Sequence, residues 1–147
     1  MKKIIIAIDS FKGCLTSAEA GKAAEKGIKS INPSCHTSVI PIADGGEGLL
    51  DVLITATKGK YITLSAHGPL MKMAKTHYGL SGNGRTAIIE MAAISGLPLV
   101  PIEQRNPMLT TTFGTGELIK DALNKGCRNF IIGIGGSATN DAGLGML

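Results

Sequence analysis

The stretch NFIIGIGGSATNDAGLGML, residues 129–147, decides how the chain is read. Asn129 to Ile134 is a short apolar run rich in β-branched residues, as expected of a strand buried in a parallel sheet. Two glycines follow it, and Ser137 is a good N-cap for a helix starting there. Successive glycines let backbone amides converge on an anion. A helix beginning at Ser137 would add the positive end of its dipole and its unpaired donors. A plain strand-to-helix turn capped by Ser137 accounts for the same residues without a ligand, so the motif alone leaves both readings open. The sequence runs ten residues past Ser137 and closes on GLGML, with no polar tail. Natural termini usually trail off in polar residues. The expectation is therefore a fragment of something longer.

Working back to the N-terminus, KKIIIAID is another buried-type strand. The next segment has Thr16 and Glu19 at capping-box spacing. Ala20, Ala24, Gly27, Ile28 and Ile31 fall on one helical face, and Pro33 lies just past the end. TSVIPIA predicts a second strand, and Asp44 with Glu47 is read as opening a second helix that carries Leu49, Leu50 and Leu53. Alternation of this kind marks a parallel α/β sheet. From about residue 60 the pattern changes to three strand-like runs separated by HGPL and SGNG turns, which predicts a mixed or antiparallel sheet. A second lobe is expected, with the boundary near residue 66. A loop with three prolines then leads to a helix striped by Leu118, Ile119, Ala122 and Leu123 and stopped at Gly126.

Composition narrows the function classes. With 44% hydrophobic and 18% charged residues in 147, the chain reads as globular. Its net charge of +4 is scattered, and with two Tyr, three Phe and no Trp it lacks the basic, aromatic-rich face of a nucleic-acid binder. Cys14, Cys35 and Cys127 are an odd number with no CxxC pair or metal-ligand spacing, and read as free thiols. The N-terminal apolar run is too short for a signal segment and is cut by Asp9, and no stretch approaches membrane-spanning length. A cytoplasmic protein with no membrane partner is expected.

Four glycine- or acid-rich segments each follow an apolar run: AIDSFKG, PIADGGEG, TTTFGTGEL and GIGGSATND. In open α/β sheets ligands bind outside the carboxyl ends of strands, so the four can converge on one cleft. Asp44 and Glu47 suit a helix start, but the three glycines around them cost helix stability and point to a ligand brought close to the backbone. Paired acids there could hold Mg²⁺ or substrate hydroxyls. Lys12, three residues past Asp9, could neutralise a carboxylate or a moving phosphoryl group. Asp141, one helical turn past Ser137, would face the glycine turn as a base or metal ligand. Two decoys carry little weight. GIGGSA fits the dinucleotide fingerprint, but so does GNGRTA, which precedes a strand, and the chain has no Gly-Lys-Ser/Thr of a P-loop. His67 and His77 are read as structural.

Taken together and in this order, DSFKG, PIADGGEG, GPL, IEMAAISGL, RNP, TTTFGTGELI and GIGGSATNDAGLGM closely resemble the N-terminal part of bacterial glycerate kinases of type I. The resemblance covers essentially the whole chain. It implies ATP-dependent, Mg²⁺-requiring phosphorylation of D-glycerate to 2-phosphoglycerate, or to 3-phosphoglycerate in some members. The implied fold is two α/β lobes. Residues 1–66 are the first part of a flavodoxin-like parallel-sheet lobe, and residues 67–147 the first part of an inserted mixed-sheet lobe resembling restriction-endonuclease cores. The site lies between them, in proteins well over twice this length. Carried onto this sequence, the resemblance makes Lys12, Asp44 and Asp141 catalytic, with Asp44 and Asp141 on the metal. Asp9, Ser10, Glu47 and Arg105 go to the substrate. Gly135, Gly136, Ser137, Thr139, Asn140, Thr115 and Glu117 go to phosphate or nucleotide. Ile8, Cys14, Leu49, Ala142 and Leu144 depart from the usual residues. A piece of this kind is expected to be inactive or weakly active and to self-associate through the surface left open. The competing readings are a non-catalytic sugar-acid or nucleotide-binding module and, on GIGGSA alone, a dinucleotide-dependent oxidoreductase.

Overall fold

The structure, a computed structural model, describes residues 3–147. It is α/β, with one two-stranded parallel sheet and one four-stranded mixed sheet. Strand β1 (Lys3–Ile6) pairs in parallel with β2 (His36–Val39), Lys3 opposite His36 and Ile6 opposite Val39. Helix α1 (Ser17–Ile31) connects them and closes its start with the predicted capping box. The Thr16 hydroxyl accepts from the Glu19 amide at 3.2 Å, and the Glu19 carboxylate accepts from the Thr16 amide at 2.9 Å. Gly21 faces Val39 so closely that a Cβ there would lie 2.4 Å from a Val39 methyl, which brings helix and strand backbones together.

The second sheet has the order β3 (Lys60–His67), β4 (Met73–Leu80), β5 (Thr86–Glu90), β6 (Asn129–Gly133). The first three strands are antiparallel neighbours and β6 joins β5 in parallel. Side chains of β5 alternate between faces. Ile88 points to α2 (Leu49–Thr57), where it packs with Leu50 and Ile54. Ala87 and Ile89 join Ala66, Tyr78 and Cys127 on the other face, under Ile94 of α3 (Ala92–Ser95) and Leu118 and Ala122 of α4 (Phe113–Asn124). Helix α2 therefore belongs with the four-stranded sheet, and the changeover between sheets falls between Val39, the end of β2, and Leu49, the start of α2. The boundary read at residue 66 falls at the far end of β3.

Three local expectations are corrected. Asp44 does not open a helix: α2 begins at Leu49 behind Gly48, whose φ of +90° is left-handed, and Asp44 lies upstream in the loop. No α-helix follows Ser137. The Leu97 amide donates to the Gly136 carbonyl at 2.9 Å and the Ala138 amide to the Ser95 carbonyl at 2.9 Å, which pairs Ser137 with Gly96 in an antiparallel bridge. Beyond it, Ala142 and Gly143 are left-handed, and only a single 3₁₀ turn forms at Leu144–Met146. Finally, β1 and β6 are not buried on both faces. Ile5 is 59% exposed, and Ile131 and Ile132 also face solvent, because α1 alone covers the first sheet and β6 is an edge strand of the second.

Candidate active site

Three strand-exit loops meet where the two sheets adjoin. After β1, Phe11 and Leu15 close a tight turn in which the Phe11 amide donates to the Leu15 carbonyl at 2.8 Å and Gly13 takes a φ of +73°. Lys12 is exposed within that turn. The buried Ser17 hydroxyl ties this loop to the next, donating to the Ile8 carbonyl at 2.6 Å and accepting from the Ile42 amide at 3.0 Å. After β2, the Asp44 carboxylate accepts from the Gly46 amide at 3.0 Å. The Gly45 carbonyl then accepts from the Gly135 amide, beyond β6, at 3.1 Å. A Cβ on Gly135 would lie 2.6 Å from the Gly46 Cα. These glycines thus serve the approach of one backbone to another, where the sequence suggested approach to a ligand.

Two hollows flank this seam. The larger, of about 500 Å³, is walled by the 10–19 segment, Pro41 and Ile42 on one side and by Glu47, α2 residues, His77, Glu90 and Ala93 on the other. Its charged lining is mainly acidic: Glu19, Glu47, Asp51 and Glu90, against Lys12. The Tyr61 hydroxyl donates to Asp51 at 2.6 Å, which pushes the phenol up to about 12, and the Tyr61 ring meets His77 edge-on at 5.6 Å. Glu90, at the end of β5, accepts from the Leu50 amide at 3.3 Å. Burial pushes its carboxyl above the ordinary range. The Leu50 and Gly48 amides pull it back, and the charges of Asp51 and Glu47 add to the rise.

The smaller hollow, of about 190 Å³, is lined by Arg105, Asn106, Thr110, Ser137 and Thr139 with the apolar Leu97, Val100, Pro107 and Ala138. No acid lines it among the described residues. Arg105 is steadied by its Nε donating to the Val100 carbonyl at 3.2 Å. The Ser137 and Thr139 hydroxyls lie 2.8 Å apart, and the Thr139 amide donates to Ser137 at 3.0 Å. This is a cationic, hydroxyl-rich cup suited to an oxyanion, beside an acidic cleft suited to hydroxyls and cations.

Residues 4–147 match the family model described as the glycerate kinase family. The chain belongs to that family. A glycerate kinase of Haemophilus influenzae is 57% identical over 145 residues, covering 99% of this chain and 38% of the relative. Glycerate 2-kinase of Escherichia coli is 52% identical, also over 99% of this chain and 38% of its own length. A crystal structure from Salmonella typhimurium LT2, assigned as a glycerate kinase 2, superimposes with a TM-score of 0.82 at 50% identity, over 99% of this chain and 39% of that one. The chain therefore spans 38% of the length of these glycerate kinases.

Of the residues singled out in the sequence, Ser10, Lys12 and Glu47 share the larger hollow, and Arg105, Ser137 and Thr139 the smaller. Asp9 and Asp44 stand beside them, each carboxylate turned onto a neighbouring backbone amide, at Ser10 and Gly46. Gly135 spends its amide on Gly45, and Gly136 is left-handed and exposed. Four further residues line neither hollow. Thr115 is fully buried, its hydroxyl 2.9 Å from that of Ser95. Glu117 accepts from the His67 amide at 2.7 Å and meets the His67 Nδ1 at 3.0 Å. Asn140 is exposed. Asp141 does not face the glycine turn, because the helix that would have aimed it is absent. Its carboxylate accepts from the Thr112 amide and hydroxyl, both at 2.8 Å, and from the Gly143 and Gly145 amides at 3.0 and 3.2 Å. Burial pushes its carboxyl up, but these hydrogen bonds outweigh that and hold it below the ordinary aspartate range.

Sequence reasoning gave no role to Glu90 or Asp51 and read His77 as structural, yet all three stand on the wall of the larger hollow. A signal for Glu90 was present: like Asp9, it is an acid at the carboxyl end of an apolar strand. Among the described residues, no group of three or more His, Cys, Asp or Glu gathers closely enough to cage a metal, and no helix is long and apolar enough to cross a membrane.

Proposed function

We propose that this chain supplies one part of an ATP-dependent kinase that phosphorylates D-glycerate. The observation that carries the reading is the pairing of an oxyanion cup with an acidic cleft across the Gly45–Gly135 seam, in a chain of the glycerate kinase family. Glycerate has an anionic carboxylate at one end and hydroxyls at the other. Arg105, with Ser137 and Thr139, takes the carboxylate or a phosphate group. Glu47 and Glu90 meet hydroxyls, and Lys12 neutralises charge on the phosphoryl group in transit. Phosphoryl transfer depends chiefly on positioning and charge neutralisation, so groups from separate loops suffice.

Mg²⁺ takes one or two carboxylates, water and phosphate oxygens, and needs no protein cage. The exposed Asp44 fits that role and would bring the ion's neutralising charge to the phosphates. Asp141, saturated by amides and hydroxyls, fits it poorly, and is better assigned to fixing the 141–145 loop against the start of α4.

The test is coupled ADP release with D-glycerate and Mg-ATP. It is run on the 147-residue chain and on the same residues grafted in place of the corresponding segment of the Escherichia coli relative. Glycerate-dependent ADP release by the graft is expected, with at most weak release by the chain alone. A well-folded graft that binds glycerate but releases no ADP would favour the non-catalytic sugar-acid module.

A further inference from the structure

We propose that Glu90 is the carboxylate that takes the proton from the glycerate hydroxyl as that hydroxyl is phosphorylated. This rests on the kinase reading above. In the step, the hydroxyl oxygen bonds to the terminal phosphorus of ATP. The bond from that phosphorus to the bridging oxygen breaks, with its electron pair leaving on ADP. The hydroxyl proton passes to a carboxylate oxygen of Glu90 and is later returned to water.

Placement selects Glu90 from the acids near the cleft. Asp9 and Asp44 are turned onto the Ser10 and Gly46 amides, and neither lines the hollow. Glu19 is committed to the capping box. Asp51 accepts from the Tyr61 hydroxyl. Glu47 and Asp51 are exposed at the rim of the cleft. Glu90 is half-buried and sits at the carboxyl end of β5, an interior strand whose Ala87, Ile88 and Ile89 are fully buried. It is thereby held on the wall of the cavity that core packing sets. Its anchor, the Leu50 amide, fixes the carboxylate without supplying a cation that would lower its basicity. Burial, first, and the neighbouring acids raise its proton affinity above that of an ordinary glutamate, the direction that favours a general base.

The same position has a structural use, since Glu90 satisfies an amide at the start of α2, where Gly48 offers no side-chain cap. Glu90→Gln separates the two roles. Glutamine keeps an acceptor for the Leu50 amide and loses the base. In the graft, E90Q is expected to lower kcat about 100-fold, within the range for losing a general base. KM for glycerate should stay within about threefold and the melting temperature should be unchanged.

Wild-type kcat should fall as pH drops and Glu90 is protonated, on a limb above the ordinary glutamate range, and E90Q should lack that limb. The titratable or charged groups facing Glu90 are Glu47 and Asp51 on the α2 side, His77 on β4, and Lys12, Cys14 and Glu19 across the cavity. His77→Gln should keep the limb. An active wild-type graft whose E90Q variant retains a third or more of kcat overturns the assignment, and a limb lost in H77Q moves it to His77. A wild-type graft with no glycerate-dependent ADP release overturns the kinase reading itself. If E90Q fails to fold, side-chain ¹³C shifts of Glu90 in the wild-type 147-residue chain decide. D-glycerate is expected to move them, and their indifference at saturating D-glycerate overturns the proposal.

Discussion

The two sheets differ in how they are finished. The four-stranded sheet carries helices on both faces, and Ala66, Tyr78, Ala87, Ile88 and Ile89 are fully buried in it. The two-stranded sheet has α1 on one face only, and of its isoleucines only Ile6 is buried. Both contribute to the larger hollow. Glu90 and the α2 wall stand on the packed frame, whereas Ser10 and Lys12 hang from the thin one. One wall of the cleft is thus set by core packing. The other is set by a few hydrogen bonds, chiefly those at Ser17 and Gly45.

Substitutions can break or sharpen this contrast. The largest effect is expected inside the packed frame. Leu118→Ala, at a fully buried site, should cost about 3 kcal/mol and lower the melting temperature of the 147-residue chain by roughly 10 °C. A loss near zero would mean that α4 is not part of the core. At the seam, Gly135→Ala puts a methyl 2.6 Å from the Gly46 Cα and should cost about 2 kcal/mol, with faster hydrogen exchange of the amide at 135. Unchanged protection would show that the two loops do not depend on each other.

A smaller, pH-dependent effect is expected at Asp141. Its carboxyl lies below the ordinary value in the folded chain, so its contribution is complete above the unfolded value of about 4 and is lost as pH falls through the folded one. Asp141→Asn should therefore melt earlier than the parent at pH 7, with the gap closing in strong acid. A gap independent of pH would remove the carboxylate as its cause. The smallest effect belongs to the thin sheet: Ile5→Ala, at a 59% exposed side chain, should change stability by less than about 0.5 kcal/mol. A cost comparable to that at Leu118 would mean that Ile5 is covered in solution, and sedimentation would then show whether another copy covers it.

Much of the frame was legible because it rests on local signals. The capping box at Thr16 and Glu19, the turns between the antiparallel strands and the stripe of α4 all lie within a few residues of what they specify. What was not legible depends on partners far away in sequence. Nothing near Ser137 announces that Ser95 and Leu97 will take its neighbours into a strand-like pairing, so its capping preference predicted a helix that does not form. The glycines of ADGGEG were read as bringing a ligand close to the backbone, whereas Gly46 is approached by the Gly135 backbone, and Gly45 and Gly48 take left-handed φ with open space beside them. Thr115 and Glu117, in a segment rich in the residues of ligand loops, are consumed by Ser95 and His67. Half of the candidate cleft could be read from the loops after β1 and β2. The other half stands on strands whose alignment only the folded sheet reveals.

The Ser17 hydroxyl has one proton to give and lone pairs to receive, and it uses both on backbone, at Ile8 and at Ile42. A single oxygen atom therefore acts as a rivet through two ribbons of chain, and the segments bearing Lys12 and Glu47 cannot drift independently of it. Any tilt of α1 is transmitted to both at once, as a hinge pin moves two leaves together, so the spacing of charges across the cleft can be tuned from one hydroxyl in the cleft's own wall.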